Sequence, residues 1–175
     1  MLLDVDALAA AEAEPWTWQG AIVQRPGGER CLVRLARGGA DASVVREFDL
    51  TTRTFVPDGF TLPEAKTDVG WIDADHLYVG TDFGPGSLTA SGYPRIVKRW
   101  RRGTPLAEAT VVYQGRDDDV SVYAVHDPTP ASSGTSSAGG WTSSGARSSC
   151  APSTANWSGS TCRRTPRPTY TGNGC

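Results

Sequence analysis

Residues 68–114 read DVGWIDADHLYVGTDFGPGSLTASGYPRIVKRWRRGTPLAEATVVYQ and carry the clearest sign of the fold. Short runs of alternating apolar and polar residues are separated by Gly, Pro, Asp and Ser, which favour turns. The runs predicted as strands are Val69–Ile72, Leu77–Gly80, Pro94–Trp100 and Thr110–Gln114. Closely spaced short strands are typical of sandwiches, barrels and propellers, and this spacing matches the roughly 40–50 residues of one propeller blade.

The same pattern continues on both sides of this stretch. Residues 16–56 form a similar group, and a third group opens at Val120–Val125. The runs predicted as strands in residues 16–56 are Trp16–Gln24, Cys31–Ala36 and Ser43–Leu50. The predicted helix is Val5–Glu14, which is rich in Ala and Glu. A closed ring needs about four blades, so we predict an all-β fold that is a partial propeller of two to three four-stranded antiparallel blades.

Composition divides the chain of 175 residues into two unlike parts. Residues 1–130 contain 13 basic and 19 acidic residues, whereas residues 131–175 contain four arginines and no acid. The second part has no Leu, Ile, Val, Phe or Met, and 25 of its 45 residues are Ser, Thr or Gly. Such a segment buries too little apolar surface to offset the entropy of ordering it. We therefore predict a propeller part over 1–130 and a disordered tail over 131–175.

The charge balance and the N-terminus restrict the class of protein. A net charge of −2 argues against a nucleic-acid-binding protein, which needs a basic surplus. No run of about 18 apolar residues is present, so no membrane span is predicted. Residues 1–6, MLLDVD, lack the basic and apolar regions of a signal peptide. These features predict a cytoplasmic protein without nucleic-acid or membrane partners.

Four segments carry a family resemblance. Arg46–Leu50 (REFDL), Asp58–Lys66 (DGFTLPEAK), Val79–Thr89 (VGTDFGPGSLT) and Ser91–Trp100 (SGYPRIVKRW) resemble the propeller of bacterial members of the prolyl oligopeptidase family of serine peptidases. The resemblance extends over about residues 2–130. It implies a seven-bladed propeller that caps an α/β-hydrolase domain, gates its active site by size, and belongs to an enzyme that hydrolyses short peptides, usually after proline.

The chain departs from that family at both ends. Upstream segments that begin the family's chain are absent, and so is the hydrolase domain with its Ser, Asp and His triad. A serine nucleophile of that fold needs a G-x-S-x-G elbow, and the sequence contains none. We therefore predict no catalytic residue in this chain and no peptidase activity from it alone. The alternative interpretation is a free-standing propeller-like binding module with a disordered tail.

The genetic code offers an explanation of the tail. If the same DNA is read one base earlier, every Trp and Cys codon supplies TG as the last two bases of a codon for Leu, Val or Met. The residues so affected are Trp141, Cys150, Trp157, Cys162 and Cys175. One permitted translation has alternating strands and mixed charges that continue the group opened at Val120. We therefore expect residues from about Ala131 to be a frameshifted tail.

The remaining polar motifs are better explained by structure than by catalysis or phosphate binding. His76 and His126 could act as bases, but both lie in propeller-like sequence and are predicted to be structural or solvent-facing. Gly84–Ser87 (GPGS) resembles a phosphate-binding loop, yet it lacks the Lys-Ser/Thr pair and a following helix. We interpret it as a turn.

No metal or cofactor site is predicted. Cys31 stands alone in a predicted strand and is interpreted as a core residue, while the other three cysteines fall in the tail. The run Asp117–Asp119 lacks the spaced ligands of a calcium loop, and Asp73 and Asp75 beside His76 suit a hairpin turn. The tryptophans predicted to pack between blades are Trp16, Trp18, Trp71 and Trp100.

Overall fold

The computed structural model describes residues 2–126, 136–142 and 147–150. Its elements are a helix α1 (Val5–Glu12), a short 3-10 helix (Leu106–Glu108) and twelve strands: β1 (Trp16–Val23), β2 (Arg30–Arg37), β3 (Ser43–Asp49), β4 (Thr54–Phe55), β5 (Thr61–Ala65), β6 (Asp68–Trp71), β7 (His76–Gly80), β8 (Ile96–Arg101), β9 (Thr110–Gln114), β10 (Asp119–His126), β11 (Ser136–Thr142) and β12 (Arg147–Cys150). The strand pattern in the sequence therefore predicted the fold class correctly.

The strands form three antiparallel sheets, which we call the first, second and third blades. The first contains β1–β5, in the order β1-β2-β3-β4 with β5 also paired to β3. The second has the order β6-β7-β8-β9 and the third β10-β11-β12. Within each blade consecutive strands pair with each other, except that β5 pairs with β3, and the first strand of each blade lies at a sheet edge. This arrangement is an arc of propeller blades.

Apolar side chains fill the space between the first and second blades. Leu32 of β2 and Val45 of β3 point to the same side of the first blade, and both are fully buried. They pack with Leu77 and Val79 of β7. Phe60 contacts Trp71 and Trp100 edge to face, with ring centroids 5.9 and 5.0 Å apart. The predicted packing role of these two tryptophans agrees with their positions.

The other face of the second blade packs against the third blade, and the other face of the first blade packs against helix α1. Val122 and Ala124 of β10 pack on Tyr78 and Val97 of the second blade. Helix α1 covers the opposite face of the first blade, where Trp16 is buried. The helix begins where Asp4 accepts a hydrogen bond from the Ala7 N–H (2.9 Å), and it ends at Glu12, before the predicted Glu14.

Two strands of the first blade have no clear pattern in the sequence. β4 is two residues long, and β5 contains Pro63, which cannot donate a backbone hydrogen bond. β5 pairs with β3 irregularly, with a register shift between Ser43 and Val45. Because β5 lies beyond β3 at the outer side of the sheet, a residue without an N–H is tolerated there.

Part of the segment predicted to be disordered forms strands. Ser136–Thr142 pairs with β10, and Arg147–Cys150 pairs with Ser136–Thr142. The composition argument considered only side-chain burial, whereas strand pairing uses backbone groups, which Ser and Gly supply as well as other residues do. The open edge of β10 provides the partner groups. The rest of the predicted tail, and its proposed origin in a shifted frame, lie outside the described residues.

Candidate functional site

The residues considered as possible bases are held in structural positions. His76 Nδ1 lies 2.9 Å from Asp73 Oδ1, which also accepts a hydrogen bond from the Asp75 N–H (2.8 Å). This is the hairpin turn between β6 and β7 that the aspartates predicted. His126 ends β10 in another blade and lines a cavity formed by β1, β6 and β10. His76 is thus held by an aspartate of the same turn.

The Gly84–Ser87 loop closes on itself. The buried Ser87 hydroxyl accepts a hydrogen bond from the Phe83 N–H at 2.9 Å and lies 2.6 Å from the Gly84 carbonyl oxygen. The Gly84 N–H donates to Asp82 Oδ1 at 2.8 Å. Because these groups bond within the loop, they do not form a cradle for a phosphate, and the loop is a turn as predicted.

Cys31 and the acidic run are also accounted for locally. Cys31 is buried beneath the first blade's helix-covered face, and burial raises the pKa of its thiol. Asp117 pairs with Arg95 at 2.9 Å, Asp118 with Arg116 at 3.0 Å, and Asp119 accepts the Arg116 N–H at 2.8 Å. Among the described residues, no group of three or more His, Cys, Asp or Glu could hold a metal ion.

Trp16 and Trp18 differ in surroundings although they lie two residues apart in β1. Trp16 is 6% exposed, donates its indole N–H to Glu12 (2.8 Å), and stacks with Arg37. Trp18 is 50% exposed, so the structure does not bury it as the sequence predicted. The reason is that α1 is too short to cover the whole face of β1: it contacts the end at Trp16 and leaves Trp18 open.

A buried ionic cluster joins the first two blades, and the sequence interpretation missed it. Glu47 on β3 is 1% exposed and accepts hydrogen bonds from Arg30 (3.0 Å) and from the Phe60 N–H (2.9 Å). Arg102, which follows β8, forms a two-pronged pair with the same carboxylate at 2.8 and 2.9 Å. Its guanidinium also stacks on Phe60, 4.5 Å from the ring centroid. A bidentate pair of this kind fixes the relative position of two elements.

The surroundings of Glu47 keep it charged. Burial alone raises the pKa of this carboxyl, but the hydrogen bonds from Arg102 and Phe60 and the charge of Arg102 outweigh burial and lower the pKa overall. Gly59 leaves room for the cluster, because a Cβ there would lie 2.9 Å from Glu47 Oε2. The sequence contained a signal for this cluster. The acidic Glu47 lies near Val45 and Phe48 in a strand that carries apolar residues on both of its faces.

Two cavities formed by described residues lie between the blades. The larger, about 360 Å³, is lined by β1, β6 and β10 and has an apolar side that includes Ile22, Trp71 and Ala124. The smaller, about 330 Å³, is more polar and includes Arg34 and Lys66.

No membrane-crossing helix is found among the described residues. The structure thus defines a partial β-propeller with cavities between its blades.

Comparison with known proteins gives the family. Residues 1–129 match the family of the prolyl oligopeptidase N-terminal β-propeller domain, and the chain belongs to that family. An uncharacterized peptidase of Sinorhizobium fredii is 44% identical over 120 residues, which cover 69% of this chain and 16% of that protein. An uncharacterized peptidase of Rickettsia prowazekii is 28% identical over 134 residues, covering 71% of this chain and 18% of the relative.

Solved structures share the fold. A post-proline cleaving enzyme from Rickettsia typhi superposes with a TM-score of 0.82 at 22% identity, covering 95% of this chain and 25% of that one. Oligopeptidase B from Leishmania major gives a TM-score of 0.59 at 13% identity, covering 93% of this chain and 21% of that one. The present chain therefore spans about a sixth of the length of its curated relatives and up to a quarter of these solved chains.

Proposed function

We propose that this chain supplies consecutive blades to the propeller of a prolyl oligopeptidase-type serine peptidase. In that enzyme the propeller would adjoin an α/β-hydrolase domain, restrict its access to short peptides, and contribute no catalytic residue. The observation that carries the proposal is the family match over residues 1–129. The names of the relatives, two peptidases and a post-proline cleaving enzyme, support peptide hydrolysis after proline as the activity of the whole protein.

The outer faces of the arc also support a place within a larger propeller. Trp18 pairs in register with Leu35, whose side chain lies on the helix-covered side of the first blade, so Trp18 lies on that side too. Val125 alternates with Ala124, which packs on the second blade, so Val125 lies on the opposite face of β10. These side chains are 50% and 51% exposed. Further blades on both sides would cover them.

We further propose that residues from about 131 are read in a shifted frame. The family match ends at residue 129, and all 19 acidic residues lie at or before Asp127. Family sequence and ordinary composition therefore stop at nearly the same place. In the frame one base earlier, we expect further blades and then a G-x-S-x-G elbow followed by Asp and His.

Sequencing the locus and testing activity together examine both proposals. The 175-residue chain is assayed with a proline-containing fluorogenic peptide beside the protein made when the earlier frame is restored after residue 130. We expect hydrolysis only from the restored protein. Replacing the elbow serine of the restored protein by alanine is the control, and it should abolish the activity.

Two results would contradict these proposals. Activity of the purified 175-residue chain that survives removal of contaminating peptidases would contradict its non-catalytic role. An intact in-frame gene, with tail peptides identified by mass spectrometry and no hydrolase sequence in the earlier frame, would favour the alternative of a free-standing binding module.

A further inference from the structure

The connection between β7 and β8 is much longer than a usual hairpin loop. It runs over residues 81–95, whereas most hairpin loops have roughly 2–5 residues. Its backbone is bonded to itself, because the Arg95 N–H donates to the Ser87 carbonyl oxygen at 2.8 Å. The Thr89 N–H donates to the Tyr93 carbonyl oxygen, also at 2.8 Å. We call residues 81–95 the strap, because their contacts reach both neighbouring blades.

One side of the strap contacts the first blade. The Tyr93 hydroxyl donates a hydrogen bond to Asp41 Oδ2 at 2.7 Å, and Asp41 lies between β2 and β3. Lys66, which follows β5, pairs with the same carboxylate at 3.1 Å, and its ammonium lies 4.3 Å from the centroid of the Tyr93 ring. A hydrogen bond to a charged carboxylate is stronger than one between neutral groups. Tyr93 is therefore held against two connections of the first blade.

The other side of the strap contacts the third blade at the start of β10. The Val120 carbonyl oxygen accepts hydrogen bonds from the Thr89 hydroxyl at 3.0 Å and from the Ser91 hydroxyl at 2.9 Å. Two residues further on, the Val122 N–H donates to the Pro94 carbonyl oxygen at 3.0 Å. The sheet order places β10 at an edge, with β11 on its other side. The strap therefore covers part of the free edge of β10.

The two sets of contacts are joined through one peptide bond. Tyr93 carries the hydroxyl that reaches the first blade, and its neighbour Pro94 carries the carbonyl that accepts the β10 N–H. β10 also meets the second blade through Val122 and Ala124, but this apolar packing is not directional. The position of the β10 edge therefore depends on where the strap places Pro94.

We propose that the strap couples the first blade to the third, so that the hydrogen bond between Tyr93 and Asp41 holds the free edge of β10 in place. While this bond is formed, the strap presents its hydroxyls and the Pro94 carbonyl where β10 can bind them. When the bond breaks, these groups lose their fixed position and the edge of β10 opens more often. The inference rests on the described residues and does not require that the chain act in a peptidase.

The test follows amide hydrogen exchange in the full 175-residue chain by mass spectrometry, peptide by peptide. Tyr93→Phe removes only the hydroxyl, and Tyr113→Phe removes a hydroxyl from β9 as the matched control. Asp41→Ala removes the acceptor on the first blade without changing the strap, and Asp58→Ala removes an exposed charge as its control. We expect Tyr93→Phe and Asp41→Ala each to speed exchange in peptides from β10 at least about fivefold, and the controls to leave it unchanged.

The double variant that combines Asp41→Ala with Tyr93→Phe distinguishes coupling from two separate losses. Because both changes break the same bond, exchange in β10 should be no faster in the double variant than in either single variant. Unchanged exchange in β10 in either single variant overturns the proposal, and so do effects that add in the double variant. Faster exchange spread evenly over all peptides also overturns it, because general destabilisation would then explain the result.

Discussion

At the scale of single residues, the Glu47–Arg102 pair makes the clearest prediction. Arg102→Ala removes the bidentate partner of a carboxylate that stays buried, and breaking such a pair costs about 3 kcal/mol. We expect the free energy of unfolding, measured by urea denaturation, to fall by that amount. Arg101, the preceding residue, is exposed and gives the matched control, because Arg101→Ala should change stability by less than about 0.5 kcal/mol. Equal effects of the two variants would show that the pair adds no stability.

The charge of Glu47 also predicts a dependence on pH. Its folded-state pKa is lowered below the ordinary value of 4.5, so its ionisation stabilises the folded protein above that value. This contribution disappears as the pH falls through the lowered pKa, because the protonated carboxyl no longer forms the ion pair. We expect the stability difference between wild type and Glu47→Gln to be constant near neutral pH and to shrink below about pH 4.5. Denaturation at several pH values measures it, and a difference that grows on acidification would be contrary to this mechanism.

These residue-scale features were only partly predictable. The turn role of Asp73 and the core position of Cys31 depend on neighbours in sequence or on one strand, and both could be predicted. The partner of Glu47 is 55 residues away, and the pair exists only because two blades stack. The acidic residue among apolar neighbours in β3 was a local signal for a buried charge, but the sequence alone does not identify the arginine that pairs with it.

At the scale of elements, helix α1 depends on its cap. The Asp4 side chain accepts the Ala7 N–H, and α1 is only eight residues long, so the loss of one such bond is a large part of its local stability. Asp4→Ala should lower the free energy of unfolding by about 1 kcal/mol. Asp4→Asn, which keeps an acceptor at the cap, should restore most of it. Chemical denaturation of the three proteins checks this order, and an Asn variant as unstable as the Ala variant would exclude capping as the cause.

The elements show where sequence patterns succeed and where they fail. The alternation of apolar and polar residues with a period of two predicted β1–β3 and β6–β10 well, because a neighbouring sheet covers one face of these strands. It did not identify β5, where Pro63 breaks the pattern and pairing occurs only at the outer side of β3. Nor did it anticipate Ser136–Thr142, whose pairing with β10 depends on the backbone groups of that open edge. A sequence pattern therefore indicates which residues are buried, but it does not indicate which segment pairs with an open sheet edge.

At the scale of the whole molecule, an arc of blades has two outer faces that its own core does not cover. Trp18, Val23 and Val125 are 50%, 44% and 51% exposed, and α1 covers only the part of the first blade near Trp16. A protein in solution lowers its free energy by burying such surface against another molecule. We therefore expect the isolated chain to self-associate with rising concentration.

Sedimentation velocity of the full chain tests this expectation. Two variants distinguish association through one specific face from nonspecific hydrophobic association. Val125→Thr keeps the shape of the side chain on the open face of β10 and should weaken association about fivefold, which corresponds to about 1 kcal/mol of lost apolar burial. Val111 is 49% exposed on β9, at the outer edge of the second blade, so Val111→Thr makes the same chemical change away from that face. If both variants weaken association equally, the open face of β10 has no special part in it. If Val125→Thr alone does so, that face is the surface on which the arc meets its next neighbour.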